Sequence, residues 1–126
     1  PNSGHGLNDV TRVLQAQIGF FLACTGRAPL PHPQWQFEEG RYLKLHISSD
    51  LAPVRVSQWT ATTPTRDFRP SIWRTRPALE HGGRWLCRLS WPQTGHAALF
   101  GEVVYQVDGR QFPLSTNVRI IGPLSR

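Results

Sequence analysis

The sequence predicts a mainly β protein, an antiparallel sandwich entered by one amphipathic helix, and three observations carry that prediction. Apolar residues recur at three- and four-residue steps from Asn8 to Thr25, the spacing of one helical face. Beyond residue 33 the apolar period falls to two, the alternation of half-buried strands. Turn signals then interrupt the chain at short intervals, as they do in sandwiches and barrels. Composition agrees: 39% of residues are hydrophobic and 17% charged, with 11 Gly and 11 Pro, which suits turn-rich β structure better than a helical bundle. The 126 residues give room for one domain, or one domain plus a piece of another. A core of that size needs neither disulfides nor metals to hold it.

The helix comes first. Val10, Val13, Leu14, Ile18, Phe21 and Leu22 form its apolar stripe. Asn8 or Asp9 supplies an N-cap, and Gly26 stands where a left-handed C-terminal residue is wanted. Gly19 costs about 1 kcal/mol relative to Ala inside a helix, and Pro29, Pro31 and Pro33 prevent continuation. The chain therefore divides near residue 30, into a helical part (1–30) and a β part (31–126). With Phe20 beside it, the stripe is a large apolar surface for a lone appendage. It must dock on the β part or on a domain outside this segment.

The strands follow in order. Leu43, Leu45 and Ile47 alternate with Tyr42, Lys44 and His46, and Trp85, Cys87, Leu89 and Trp91 with Leu86, Arg88 and Ser90. Leu99, Val103 and Tyr105 share a face, as do Phe112, Leu114, Val118 and Ile120. Between them lie Glu39-Gly40, Ser48-Ser49-Asp50, His81-Gly82-Gly83, Pro92-Gln93-Thr94-Gly95 and Asp108-Gly109. The last is a dipeptide that favours a type I′ hairpin. Six or seven short strands at this spacing point to a sandwich of immunoglobulin or fibronectin type III character. One strand loses phase, because Val54 and Val56 fall on one face and Trp59 and Ala61 on the other. A β-bulge near Ser57-Gln58 would restore it; otherwise Trp59 faces solvent or a neighbouring domain.

Other features narrow the function classes. No apolar run approaches the roughly 18 residues of a helical membrane span. The net charge is +6, with Lys44 the single lysine, and a basic balance favours polyanionic partners. The arginines, however, are scattered from Arg12 to Arg126, densest at Arg66, Arg69, Arg74 and Arg76. No nucleic-acid-binding motif accompanies them, so nucleic acid is not the expected partner. Cys24 and Cys87 are expected as buried free thiols; a disulfide would require the helix end and a strand to meet with suitable geometry. His32, His46, His81 and His96 are isolated from one another, so no metal site and no cofactor are expected. Methionine is absent and the chain opens at Pro1, so a segment cut from a longer protein is expected.

An ordered set of short stretches resembles the PhoPQ-activated pathogenicity-related family. They are Pro1-Asn2-Ser3-Gly4-His5-Gly6-Leu7, Leu30-Pro31 with Trp35 and Phe37, Trp59-Thr60-Ala61, Arg66-Asp67-Phe68-Arg69 and Trp73. Pro92-x-Thr94-Gly95-x-x-Ala98-Leu99-Phe100-Gly101-Glu102-Val103 and Ser115-Thr116-Asn117-Val118 complete it. The resemblance implies that residues 1–30 are the last loop and C-terminal helix of an α/β-hydrolase-like domain whose remainder lies upstream. Residues 31–126 are then an appended sandwich packed on it. It also implies a bacterial protein in an extracytoplasmic location, periplasmic or secreted.

Within that resemblance His5 takes the position of a triad base, which a serine nucleophile needs near neutral pKa and oriented by a carboxylate. No Gly-x-Ser-x-Gly elbow occurs in the chain, so this segment alone is not expected to catalyse, while the parent would be a serine hydrolase. Arg66, Asp67, Phe68 and Arg69 make either a loop that grips an anion or an internal ion pair that pins the loop. Trp35, Trp59 and Trp73 make either a sugar-stacking surface or core and interdomain packing. The rival to the hydrolase reading is an independent fibronectin-like module that binds a glycan or a protein partner.

Overall fold

The computed structural model describes residues 9–124. His5 lies outside the described residues. Helix α1 (Val10–Cys24) is followed by β1 (Gln34–Glu39), β2 (Leu43–Ser48), β3 (Arg55–Thr63), β4 (Arg74–Pro77) and β5 (Leu79–His81). Then come β6 (Arg84–Leu89), β7 (His96–Val107), β8 (Arg110–Ser115) and β9 (Arg119–Ile121). They form two antiparallel sheets, one in the order β1-β2-β6-β5 and one in the order β4-β3-β7-β8, with β9 continuing along β7 beyond β8. Ala78 alone separates β4 from β5, so the chain changes sheet there, and its N–H donates to the Val56 carbonyl at 3.0 Å.

The core lies between the sheets. Leu43, Leu45, Ile47 and Cys87 from the first meet Val56, Leu99, Val103, Tyr105, Phe112 and Ile121 from the second. The period-two expectation holds for β2, where Leu43, Leu45 and Ile47 are buried and His46 is exposed. Gly101 of β7 faces the same core, where an added Cβ would collide with the Ile47 side chain. A glycine there lets the two sheets approach. The Asp108-Gly109 turn joins β7 to β8 with φ of 49° and 73°, the left-handed pair that a two-residue hairpin of this twist demands.

Four details depart from the sequence reading. First, β3 pairs with β7 in unbroken register from Arg55 opposite Val104 to Thr63 opposite His96, with no bulge at Ser57-Gln58. Val56 and Gln58 point into the core face and Trp59 out of it. Second, the last strands change parity: Phe112 is buried in β8, but Ile121 rather than Ile120 is the buried residue of β9. The step occurs at Thr116, whose N–H donates to the Gly101 carbonyl at 2.9 Å while its hydroxyl accepts from the Gly101 N–H at 3.0 Å. Third, Trp91 lies beyond the end of β6, where its indole N–H donates to the Gly40 carbonyl at 2.9 Å. Fourth, both cysteines are free, but only Cys87 is buried; Cys24 is exposed.

Along one side the sheets are tied together. The Trp35 indole N–H of β1 donates to Asn117 Oδ1 at 2.7 Å, and Glu39 pairs with Arg119 of β9. On the opposite side the short β5 leaves β6 unaccompanied beyond Leu86. Gln58 fills that position from across the core: its Oε1 accepts from the Arg88 N–H at 3.0 Å and its amide donates to the Arg88 carbonyl at 3.2 Å. Gln58 is 3% exposed, and both ends of its carboxamide are satisfied, as burial requires.

Candidate functional site at the helix and outer sheet face

Helix α1 begins where the Asp9 carboxylate accepts from the Arg12 N–H at 3.2 Å, an N-cap bond that satisfies an otherwise orphaned donor. Its first residues thus place Arg12 over the outer face of the second sheet. Register puts Trp59, Phe100 and Glu102 on that face. Glu102 is buried in the middle of the long apolar strand β7, and a lone carboxylate there requires a cation. Arg12 supplies it: the two form an ion pair in which the Glu102 side chain is 4% exposed and that of Arg12 32%. The same guanidinium lies 5.7 Å from the centre of the Trp59 ring, a cation–π distance.

The aromatic contacts continue away from the helix. Trp59 stacks on Phe100 with centroids 6.1 Å apart and planes 5° from parallel. Trp73 meets Phe100 edge-on at 5.2 Å, and Phe68 tilts against Trp73 at 6.0 Å. The structure therefore gathers Trp59, Trp73 and the Arg66–Arg69 loop onto one face. Trp35 stands apart, on the edge strand of the other sheet. Trp59 is thus contacted within the molecule by both Phe100 and Arg12.

The loop is held by its own carboxylate. Arg69 Nε donates to Asp67 Oδ1 at 2.9 Å and its Nη2 to Oδ2 at 2.6 Å, a two-pronged pair, while the Arg69 N–H adds a third bond at 3.0 Å. These bonds from Arg69 hold the Asp67 carboxyl down at a pKa of about 2 and raise that of Arg69. Asp67 N–H donates to Thr65 Oγ1 at 3.1 Å, and the Asp67 carbonyl accepts from the Thr63 hydroxyl at 3.2 Å, fixing the loop to the end of β3. Arg66 is exposed.

The helix packs with an unexpected face. It lies along β8 with Gly19 buried, and an added Cβ there would fall 2.5 Å from Cδ2 and 2.6 Å from Cγ of Phe112. Close approach thus selects the small-residue side, while Val10, Leu14, Phe20 and Phe21 are 53%, 50%, 59% and 61% exposed. Leu22 is the residue of the predicted stripe that reaches the core. Arg12, Phe100 and Glu102 were not singled out from the sequence as site residues. The signal for them was a single acid inside the apolar run Ala97–Val107.

Among the described residues no helix is long and apolar enough to cross a membrane, and no three His, Cys, Asp or Glu side chains gather as metal ligands. The arrangement is that of a two-sheet β module locked by charge and aromatic contacts to a preceding helix that keeps an apolar face open. Residues 1–69 match the family model of the PhoPQ-activated pathogenicity-related protein. The match takes in more than half of the chain, including α1 and β1 to β3, and the chain belongs to that family. It ends at Arg69, so Trp73 and the stretches after it lie beyond the matched segment. No curated protein and no solved structure matches the chain.

Proposed function

We propose that this chain is the C-terminal portion of a hydrolase-like protein. In this reading α1 closes an α/β-hydrolase-like domain, the β module packs against that domain, and the segment carrying His5 contributes the base of a serine hydrolase triad. The observation that carries it is the open face of α1. Four large apolar residues, Val10, Leu14, Phe20 and Phe21, are half exposed or more on a helix whose other side is anchored by Arg12 and Gly19. Apolar surface of that kind marks an interaction site, and within a family-matched segment the upstream part of the same protein is its fitting occupant.

The strand orders support an immunoglobulin-like reading of the module. With β1 to β8 taken as A, B, C, C′, D, E, F and G, the sheets read A-B-E-D and C′-C-F-G, the arrangement of that sandwich class. The module then frames one side of the hydrolase site, and the protein works outside the cytoplasm. Sequencing the gene upstream of the Pro1 codon tests the proposal. An open frame of roughly 250 codons, about one α/β domain, with a Gly-x-Ser-x-Gly elbow is expected. A start codon immediately before Pro1 would leave His5 without a triad and favour an independent binding module.

A further inference from the structure

A second feature lies on the other side of the second sheet, at β4, away from β8 and the helix. Because β5 is only three residues long, the first sheet has no strand opposite the start of β4. The gap is an open cleft of about 730 Å³. Arg74 and Arg76 pair with Thr60 and Gln58 across β3 and β4, so both arginines belong to the sheet face that looks into the cleft, about 7 Å apart along the strand. Thr60, Thr62, Tyr42 and Trp91 line it with them, and none of its lining residues is Asp or Glu.

The charges there are available. Among the described residues neither Arg74 nor Arg76 has a carboxylate partner; Arg76 donates one bond, Nη2 to the Arg88 carbonyl at 3.0 Å. The Trp91 ring is fixed in place by its bond to Gly40. Guanidinium groups favour carboxylate and phosphate oxygens, threonine hydroxyls serve as donor and acceptor for alcohols, and the aromatic rings offer apolar faces. A small inorganic ion would leave most of such a volume empty, and two arginines within a bounded cleft are not the extended basic track of a nucleic-acid site.

We propose that this cleft binds an acidic oligosaccharide, with Arg74 and Arg76 taking its carboxylates and Thr60, Thr62 and Trp91 its sugar rings. This stands independently of the interdomain role of the helix, because the cleft and α1 are on opposite edges of the second sheet.

Calorimetric titration of the 126-residue chain with a galacturonic acid hexamer, maltohexaose, sodium sulfate and a hexanucleotide tests it. The uronate hexamer should bind, and maltohexaose should not. Arg74→Gln and Arg76→Gln should each weaken uronate binding about tenfold or more, the scale of a lost charge-assisted bond. Arg69→Gln, whose guanidinium is held by Asp67, should leave it unchanged. Amide shifts in the unsubstituted chain, concentrated at Thr60, Thr62 and Trp91, would locate the ligand without relying on any variant. The proposal is overturned by no uronate binding up to about 1 mM, by equal binding of sulfate or the hexanucleotide, or by shifts lying elsewhere.

Discussion

Arg12 of the helix and Glu102 of the longest strand form an ion pair in which the carboxylate is almost fully enclosed, its side chain 4% exposed. The pair anchors the first turn of the helix. Truncating the arginine would leave Glu102 buried and alone, the expensive half of breaking a buried pair. Because Arg12 itself is 32% exposed, water relieves part of that cost. Arg12→Ala should therefore lower stability by about 1–3 kcal/mol, read from the urea midpoint. Adding Glu102→Gln should recover part of the loss, and a double variant no better than the single would show that the charge is not the cause.

Gly19 and Phe112 make a second, purely steric anchor. Gly19→Ala improves helix propensity by about 1 kcal/mol, so on propensity alone the variant would be stabilised. A methyl 2.5 Å from the Phe112 ring forces the helix outward, an overpacking cost of about 1–3 kcal/mol. The expected result is a lower Tm, and a higher one would mean that helix and strand are not in close contact.

The open side of α1 gives the opposite expectation. Phe20→Ser with Phe21→Ser removes rings that are 59% and 61% exposed, so Tm should hardly move. Binding of a hydrophobic dye and self-association at high concentration should both fall. A large loss of Tm would place these rings in an internal contact.

The two thiols should differ sharply. Burial pushes Cys87 up to about 12, so it stays protonated and shielded at neutral pH, whereas Cys24 is exposed. One thiol should react quickly with a disulfide reagent in the native chain and two after unfolding in guanidinium. Cys24→Ser should abolish the fast phase.

Asp67 provides a pH signature. Its carboxyl titrates at about 2 in the folded chain, against an ordinary value of 3.8, because Arg69 bonds the charged form. A folded-state value below the unfolded one adds stability above the unfolded value, and that contribution fades as pH falls from about 4 towards about 2. Carboxyl NMR should give a midpoint near 2 for Asp67, and Arg69→Gln should return it towards 3.8.

What the sequence disclosed and what it concealed follow from the range of the interactions involved. The Asp108-Gly109 hairpin and the alternation of Leu43, Leu45 and Ile47 were legible because backbone sterics and a single covered face act within a few residues. Trp59 misled because the outer face of its sheet is also covered, by Phe100 and Arg12, so an apolar residue on the apparent wrong side needed no bulge. The helix misled for a related reason. Periodicity finds the most apolar face, while packing against β8 selected the smallest one, around Gly19. The parity change at Thr116 rests on its two bonds to Gly101, fifteen residues away, and no local pattern announces it. Strands β4 and β5 escaped notice because their residues are exposed throughout. Of the site, the Arg66–Arg69 loop and Trp73 stood out by composition. Their meeting with Phe100 depended on strand pairing.

Gln58, lodged across the core against Arg88, has a consequence for the company the molecule keeps. A strand whose N–H and C=O groups point outward invites a stray polypeptide to zip alongside it and begin an aggregate. Beyond Leu86 the β6 strand would offer such a landing place, since β5 has already ended. The carboxamide of Gln58 presents one acceptor and one donor in the positions another backbone would use, so the berth is taken. The chain thereby carries its own guard for that edge, built from a single side chain.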